Sequence, residues 1–293
     1  MVKQHYLNYC GQQSDFAPFY LAKTKLFSGD NLMVEECLKK ARILSPNDWR
    51  VALALIRFNL DNKKADEARV ISKDFLKKYP EKGEMGMCYA QSLIQLKKHK
   101  EALAFLESFN VLPYEGATIG RIVYHEACVR AAMDALAVKN YSEVIRYAEK
   151  AKLWPTNLGV GQPFDLDERM DIFMIAFAKE KQGKVADAEK YYSLIAEYKH
   201  PQGSEENTKL LLQLLALQKI GKSQEATCLL SGLVKKYPAS QYLKWVDPKF
   251  NSSADAPIIE QEIFRTSGMV QPYDVVFVDK EFKLMRDFVG CIK

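Results

Sequence analysis

A spacing of about 34 residues, repeated along the chain, constrains the fold more than any other feature of the sequence. The repeat is marked by a small or apolar residue, found at Val34, Ala68, Ala102, Val144, Ala188 and Ala226. The first three markers are evenly spaced, and short insertions lengthen each of the later intervals. A proline follows five of these markers at nearly the same distance, at Pro46, Pro80, Pro113, Pro155 and Pro238. Self-similarity at a fixed period of this length indicates one supersecondary unit that is copied along the chain.

Each copy is predicted to be a pair of helices, as the sixth copy illustrates. Residues 210–220 form the first helix, and a turn follows at Gly221. Residues 224–237 form the second helix, which Pro238 ends because proline cannot continue a helix. Gly183 stops the first helix of the fifth copy in the same way, since it also lies five residues before its marker alanine. The alanine is required where the two helices cross closely, because a larger side chain would separate them.

The period and the order of small residue and proline form the tetratricopeptide pattern, which covers residues 16–245. Such units cannot bury their apolar faces alone, so stacked neighbours share a continuous core. The sequence therefore predicts an all-α fold, a right-handed superhelix of about six helix hairpins with a concave groove. We expect residues 1–246 to form this repeat domain, and residues 247–293 to form a linker and an apolar tail that docks on it.

Three phrases of the sequence resemble a known family. Residues 15–20, 112–117 and above all 154–169 are similar to the C-terminal tetratricopeptide region of a family of large bacterial proteins. Those proteins carry an N-terminal β-rich domain of unknown function that is thought to be carbohydrate-related. No β-rich stretch precedes the repeats in this sequence, so the resemblance implies a helical repeat scaffold and no catalytic residue.

Two insertions interrupt the repeat, at residues 112–121 and 154–169, and both follow a second helix. Because they flank the fourth copy, we expect both to emerge at the same end of the stack. Their charged and aromatic residues are expected to form one cluster, which comprises Glu115, Arg121, Trp154, Asp165, Asp167 and Arg169. In a structural interpretation, Trp154 and Phe164 pack the turn down and Asp167 caps the next helix. In the alternative, the loops bind a small ligand, since loops on a rigid scaffold often carry function.

The concave groove is expected to be lined by residues one and two turns into the first helices. These residues are Met87, Gln91, Val129, Met133, Phe173, Phe177, Leu211 and Leu215. The set is mostly apolar, and it lacks the Lys, Asn and Arg residues with which some tetratricopeptide domains bind a terminal carboxylate. An apolar groove suits an amphipathic helix or an extended apolar peptide. Alternatively, the first helices pack tightly on one another and leave little groove.

The tail has a different composition from the repeats. Residues 247–257 have no period and are predicted to form a linker, and residues 258–264 are predicted to form a short helix. Residues 273–278 are rich in β-branched residues, which favours a strand, whereas residues 281–291 have apolar residues at helical spacing. Such a tail cannot bury itself, so it needs a covering surface. The favoured surface is the end of the sixth hairpin, around Leu230, Leu233 and Tyr242. The groove and a second copy of the chain are the alternatives.

Composition and motifs argue against several classes of function. The net charge is only +5 over 293 residues, which gives no reason to expect nucleic acid as a partner. No apolar stretch approaches the ~18 residues of a membrane span. The four histidines and six cysteines show no metal-ligand spacing such as H-E-x-x-H or C-x-x-C, and no nucleophile–base pair is evident. We therefore expect no metal, no cofactor and no catalysis.

The sequence favours a non-enzymatic scaffold that binds a protein or peptide on its concave face. The alternative is an accessory module of a carbohydrate-processing bacterial protein, with a small-ligand site at residues 112–121 and 154–169. The N-terminus lacks the apolar core of a secretory signal. A cytoplasmic location is therefore expected for the chain as given, unless it is a fragment of a longer exported protein.

Overall fold

The computed structural model describes residues 15–27, 29–114, 117–164, 166–201, 205, 207–253, 256–267 and 275–292. All regular structure in these residues is helical, and α-helices account for 74% of them. This confirms the all-α class that the repeat predicts.

Twelve of the described helices form six hairpins. The first three hairpins are α1 (Ala17–Leu26) with α2 (Asn31–Leu44), α3 (Trp49–Asp61) with α4 (Ala65–Lys78), and α5 (Gly83–Gln95) with α6 (His99–Ser108). The next three are α7 (Ile119–Ala137) with α8 (Tyr141–Lys152), α9 (Arg169–Lys181) with α10 (Val185–Ala196), and α11 (Leu210–Lys219) with α12 (Ser223–Lys236). Three further helices follow, α13 (Gln241–Phe250), α14 (Ala256–Ser267) and α15 (Val275–Ile292). The expected tetratricopeptide-like series of about six helix hairpins is therefore confirmed.

The marker residues lie where the paired helices pack. Ala68, Ala102 and Ala226 have no exposed surface, and Val144 and Ala188 are each 2% exposed. All five lie in the first turns of a second helix. Protein interiors are close-packed, so a larger side chain at these positions would have to displace the neighbouring helix.

The turn between the helices has the same backbone conformation in all six hairpins. A left-handed residue, with φ between 57° and 99°, lies five positions before each marker. These residues are Gly29, Lys63, Lys97, Lys139, Gly183 and Gly221. Glycine adopts this conformation without steric strain, whereas a residue with a Cβ is strained by about 1–2 kcal/mol. The hairpin geometry thus requires a left-handed backbone conformation at this position even where the residue is lysine. The constant distance to the marker shows that the repeat register found in the sequence is correct.

The chain divides into two compact units. The first comprises the residues up to Ala127 together with Trp154–Gln162, and the second comprises Cys128–Leu153 together with the residues from Pro163 onward. α7 therefore contributes to both units, and the three tail helices belong to the second. A core of the first unit is formed by Ala52, Leu53, Ile56, Leu60, Ala68, Phe75, Met85 and Cys88.

The tail is more helical than its sequence predicts. Residues 247–250 continue α13 although Pro248 lies inside that helix, and Trp245, Val246 and Phe250 of the same helix are buried. The predicted boundary between residues 246 and 247 consequently falls within a helix. Residues 275–278, for which a strand is predicted, begin α15. The residues that follow them have apolar side chains at helical spacing, and the helix continues through them. Burial of that apolar face outweighs the β-propensity of residues 275–278.

We expect Gly221→Ala to destabilise the protein by about 1–2 kcal/mol, because a Cβ is strained at its φ of +79°. Gly232→Ala is the matched control. Gly232 lies inside α12, and a Cβ added there meets no atom within 4 Å. Alanine should therefore stabilise this helix by about 0.5–1 kcal/mol. Urea unfolding of both variants measures the two effects, and effects of the same sign would contradict the assigned turn conformation.

Replacing Ala226 by Phe should reduce the free energy of unfolding by about 1–3 kcal/mol, because the site has no free surface for the ring. Ala68→Phe and Ala188→Phe should behave alike. Thr227→Phe, at the exposed next position of α12, should change stability by no more than about 0.5 kcal/mol. Thermal unfolding followed by circular dichroism compares the variants. If Ala68→Phe, Ala188→Phe and Ala226→Phe all left the melting temperature unchanged, these three positions would not be close helix crossings.

Candidate functional site

α15 buries one apolar face against the second unit. Its residues Phe282, Leu284, Met285, Phe288 and Val289 are each 5% exposed or less. Apolar side chains three or four positions apart lie on one side of a helix. The tail therefore docks as an amphipathic helix.

Two pairs of aromatic rings connect α15 to the helices beneath it. Phe288 packs edge-to-face on Phe173 of α9, with ring centroids 6.1 Å apart. Phe282 packs edge-to-face on Trp245 of α13, with centroids 5.0 Å apart. Trp245 has no exposed surface, and its Nε1 donates a hydrogen bond to Glu260 at 3.3 Å. These geometries are favourable for aromatic pairs, which add to the stabilisation from burial alone.

Two ion pairs lie beside the ring contacts. Arg130 Nη1 of α7 lies 3.3 Å from Asp287 Oδ2, and Lys209 Nζ lies 2.9 Å from Glu281 Oε1. The side chains of Arg130 and Lys209 are only 18% and 16% exposed. Ion pairs that are shielded from water interact more strongly than fully exposed ones.

The four residues that α15 contacts in this way are here named the α15-binding face; they are Arg130, Phe173, Lys209 and Trp245. They lie on α7, on α9, at the N-cap of α11 and on α13, which are the first helices of the last three hairpins and the helix that follows. Residues 281 and 282 contact the α11 and α13 positions, whereas residues 287 and 288 contact α7 and α9. α15 therefore runs in the direction opposite to the order of the hairpins.

The eight predicted groove residues all lie on first helices. Met87 and Gln91 are on α5 in the first unit, and the other six are on α7, α9 and α11 in the second unit. Gln91, Met133 and Leu215 are half-buried, and the remaining five are buried. Phe173 is the member of this set for which the structure gives a ring contact with α15. A groove formed by the whole set stays a prediction.

Lys209 belongs to a polar network in the second unit. It comprises Asp167, Arg169, His200, Asn207, Lys209 and Gln213. Arg169 is 1% exposed; it donates to the Asp167 carboxylate at 2.7 and 2.9 Å and to Asn207 Oδ1 at 2.9 Å. Lys209 Nζ also donates to the Asp167 backbone carbonyl at 3.0 Å. A buried charge is tolerated only when it is paired and hydrogen-bonded, so these contacts fix the end of the second insertion to the start of α11.

The same network holds the segment between α10 and α11. Gln213 Nε2 donates to the backbone carbonyls of Ala196 and Tyr198 at 3.1 and 3.0 Å. His200 Nε2 lies 2.7 Å from Gln213 Oε1. The Arg169 guanidinium lies 4.3 Å from the centroid of the Tyr198 ring, within the range of a cation–π interaction. The network therefore connects α9, the segment between α10 and α11, and α11 itself.

The charges in the network keep both of its central groups ionised. Burial would raise the pKa of Asp167, but the hydrogen bond from Arg169 and the charge of Lys209 hold it below its usual range. Burial would lower the pKa of Lys209, but the carboxylates of Glu281 and Asp167 hold it above its usual range. The α15-binding face therefore presents a cation to the carboxylate of α15.

In the first unit, the second insertion packs against the segment that leads from α6 into the first insertion. Asn157 Nδ2 donates to the backbone carbonyls of Leu106 and Phe109 at 2.9 and 2.7 Å. The Asn157 carbonyl accepts a hydrogen bond from the Val111 amide at 2.8 Å. Gly159 has a φ of +68°, and a Cβ there would lie 2.9 Å from the Val111 carbonyl oxygen. Glycine is required at this position because the two backbones approach so closely.

The predicted loop cluster is described only in part. Glu115 and Asp165 lie outside the described residues. Arg121 and Trp154 contact each other in the first unit, with the guanidinium carbon 4.9 Å from the ring centroid. The last two members of the set form the ion pair of the polar network in the second unit. A single cluster of all six residues stays a prediction.

One detail of the structural interpretation of the second insertion is wrong. Phe164 is fully exposed, so it does not pack the loop down; the buried apolar residues of this insertion are instead Leu158 and Val160. Glu168 occupies the N-cap position of α9, but the Asp167 carboxylate accepts a hydrogen bond from the Arg169 amide, the first of that helix, at 3.3 Å. The same carboxylate pairs with the Arg169 guanidinium, because that cation is buried and must be paired.

Sequence reasoning missed three residues of the α15-binding face, namely Arg130, Lys209 and Trp245. Each contacts α15 across a long stretch of chain; Arg130 and Asp287, for example, are 157 residues apart. A local signal does exist, because Arg130 interrupts a run of small apolar residues on α7 and Lys209 directly precedes three leucines. Such a cation predicts a paired position on an otherwise apolar helix.

Within the described ranges, the structure contains no group of three His, Cys, Asp or Glu side chains that could hold a metal ion. None of the described helices combines the length and the apolar character that crossing a membrane requires.

Asp167→Asn should reduce the free energy of unfolding at pH 7 by about 3 kcal/mol, because it removes the carboxylate that pairs with the buried Arg169. The pKa of Asp167 is lower in the folded than in the unfolded protein, so this stabilisation is present above pH ~4 and is lost as the pH falls further. The difference between the wild type and the variant should therefore shrink in acid.

Asp74→Asn is the control for this experiment, because it breaks an exposed pair with Lys77 and should cost less than about 1 kcal/mol at pH 7. Urea unfolding of the three proteins at a series of pH values gives the comparison. A difference that does not depend on pH would rule out an ionised Asp167 as its source.

No protein-family model and no curated protein matches the chain. Among solved structures, the chain is similar to a tetratricopeptide repeat protein from Parabacteroides merdae, with 15% identity and a TM-score of 0.49 over 94% of this chain and 99% of that chain. It is also similar to the Pseudomonas aeruginosa pilF structure, with 17% identity and a TM-score of 0.43 over 80% of this chain and 97% of that chain. The resemblance of residues 154–169 to the large bacterial proteins stays a prediction.

Proposed function

We propose that this chain is a non-enzymatic scaffold that binds a helical segment of a protein on the α15-binding face of its second unit. The observation that supports this function is the docking of α15, which contacts residues of α7, α9, α11 and α13 through two ring pairs and two ion pairs. A surface that accommodates one amphipathic helix in this way has the chemistry to accommodate another.

The contacts favour a helical ligand over an extended peptide. The buried residues of α15 recur at three- and four-residue spacing, which is the pattern of helix-in-groove recognition. An extended peptide would place alternate side chains on opposite sides and would bury fewer of them per residue. The half-buried Met133 and Leu215, on α7 and α11, provide further apolar surface on the same helices.

The contacts of the loop residues favour the scaffold over the small-ligand alternative. One side of the Trp154 ring is covered by the Arg121 guanidinium, so that side is not open for stacking on a sugar. Asp167 and Arg169 are engaged with each other and with Lys209. These four groups therefore have structural partners within their own units.

A peptide binding experiment tests the scaffold function. The full chain with Met285→Asp and Phe288→Asp, here named the opened variant, places two carboxylates at buried positions of α15 and should release this helix. A fluorescent peptide of residues 275–292 should bind the opened variant, as measured by anisotropy. It should bind the wild-type chain at least about tenfold more weakly, because the tethered α15 competes at an effective concentration of the order of millimolar.

Val138→Asp is the matched control, since Val138 is 75% exposed and its change should leave peptide binding as weak as in the wild type. Circular dichroism verifies that the opened variant keeps its helices. If the opened variant is folded and the peptide does not bind it, the proposed function is wrong.

A further inference from the structure

We infer that the partner of this scaffold presents an amphipathic helix in which an acidic residue followed by an aromatic residue occurs twice, six positions apart, and that α15 competes with that helix for the same face. This inference rests on the proposed function, and it goes further by stating which chemistry the face selects. It follows from the way in which α15 repeats one contact pattern at two places.

The first place is at residues 281 and 282 of α15. Glu281 pairs with Lys209, and the next residue, Phe282, packs on Trp245. The second place is at residues 287 and 288. Asp287 pairs with Arg130 as well as with Arg286 of α15 itself, and Phe288 packs on Phe173. Each place on the face thus combines one cation with one aromatic ring.

The spacing of the two places defines the ligand. Six residues of α-helix advance by about 9 Å, so the two cation and ring pairs bind positions nearly two turns apart. Met285 lies between them with no exposed surface, which requires an apolar residue at the centre of the ligand helix. In this chain the pattern is Glu281, Phe282, Met285, Asp287 and Phe288, and a partner helix should reproduce it.

The cations provide the selectivity. Arg130 and Lys209 are mostly shielded from water when a helix is docked. A ligand helix with carboxylates at these two positions attracts the cations, and a ligand with lysines there would repel them. The face therefore discriminates against basic helices. Lys209 cannot turn away, because its ammonium also donates to the Asp167 carbonyl.

The occupant of the face is therefore set by competition. α15 is linked to α14 by residues 268–274, and a tethered ligand has a high effective concentration. A partner helix must match the acidic and aromatic pattern to displace it. α15 would in this way block weaker or wrongly charged ligands as well as hold the site closed without a partner.

The test uses the opened variant and four fluorescent peptides of residues 275–292. The peptides are the natural sequence, Glu281→Lys, Asp287→Lys, and the control Lys283→Glu, which changes an exposed position. We expect each acid-to-lysine peptide to bind about tenfold more weakly or worse, and the control peptide to bind within about twofold of the natural one. Because these changes are in the peptide, they cannot unfold the protein.

A charge exchange assigns the contacts. Lys209→Glu in the opened variant should weaken binding of the natural peptide and restore binding of the Glu281→Lys peptide. Arg130→Glu with the Asp287→Lys peptide is the second such pair, and it provides the same readout if the Lys209 variant loses its helical circular dichroism.

The outcomes separate this inference from the proposed function. If no peptide binds the folded opened variant, the scaffold function itself fails. If all four peptides bind equally, the face binds helices but does not select acidic ones, and this inference fails alone. Light scattering of the wild-type chain at increasing concentration should show a monomer; a dimer formed by exchange of α15 would identify a second copy of the chain as the occupant and would overturn the inference.

Discussion

The close crossing of two helices at a small residue is the constraint on which the rest of this structure depends. Ala68, Ala102 and Ala226 have no exposed surface, so the paired helices leave no room for a larger side chain at these positions. That proximity requires a sharp connection, and the left-handed residue at each turn provides it. Repeated hairpins then place their first helices in order within each unit. The four residues of the α15-binding face are brought together because of this order, although they are distant in sequence.

The features that sequence could predict are those encoded within one copy of the repeat. A marker alanine, a glycine five residues before it and a proline after the second helix are local signals, and the hairpins follow from them. The position of α15 depends on contacts such as that between Arg130 and Asp287, for which the local sequence contains no distance information. Pro248 illustrates a different limit. Its intrinsic preference is to end a helix, yet it lies inside α13, whose apolar residues are buried only in the folded protein.

The candidate site could be predicted in its apolar part but not in its charged part. Phe173 was identifiable because apolar residues on first helices follow a period. Lys209 and Arg130 depart from that period, but the sequence alone does not show which carboxylate pairs with each cation. The polar network around Arg169 holds one of these cations in position through contacts that span three segments of chain. The chemistry of the face therefore arises from tertiary structure, whereas its helices arise from the repeat.

The use of lysine at three of the six turns has a consequence for the response of the protein to salt. Lys63, Lys97 and Lys139 follow the C-terminal ends of α3, α5 and α7, where a cation interacts favourably with the helix dipole. This interaction offsets part of the strain of the left-handed backbone, and because the three side chains are exposed, dissolved ions screen it. The strain itself does not depend on ionic strength, and the glycine turns carry no such strain. Rising salt concentration thus removes part of the compensation at the second, third and fourth hairpins while their backbone strain stays the same.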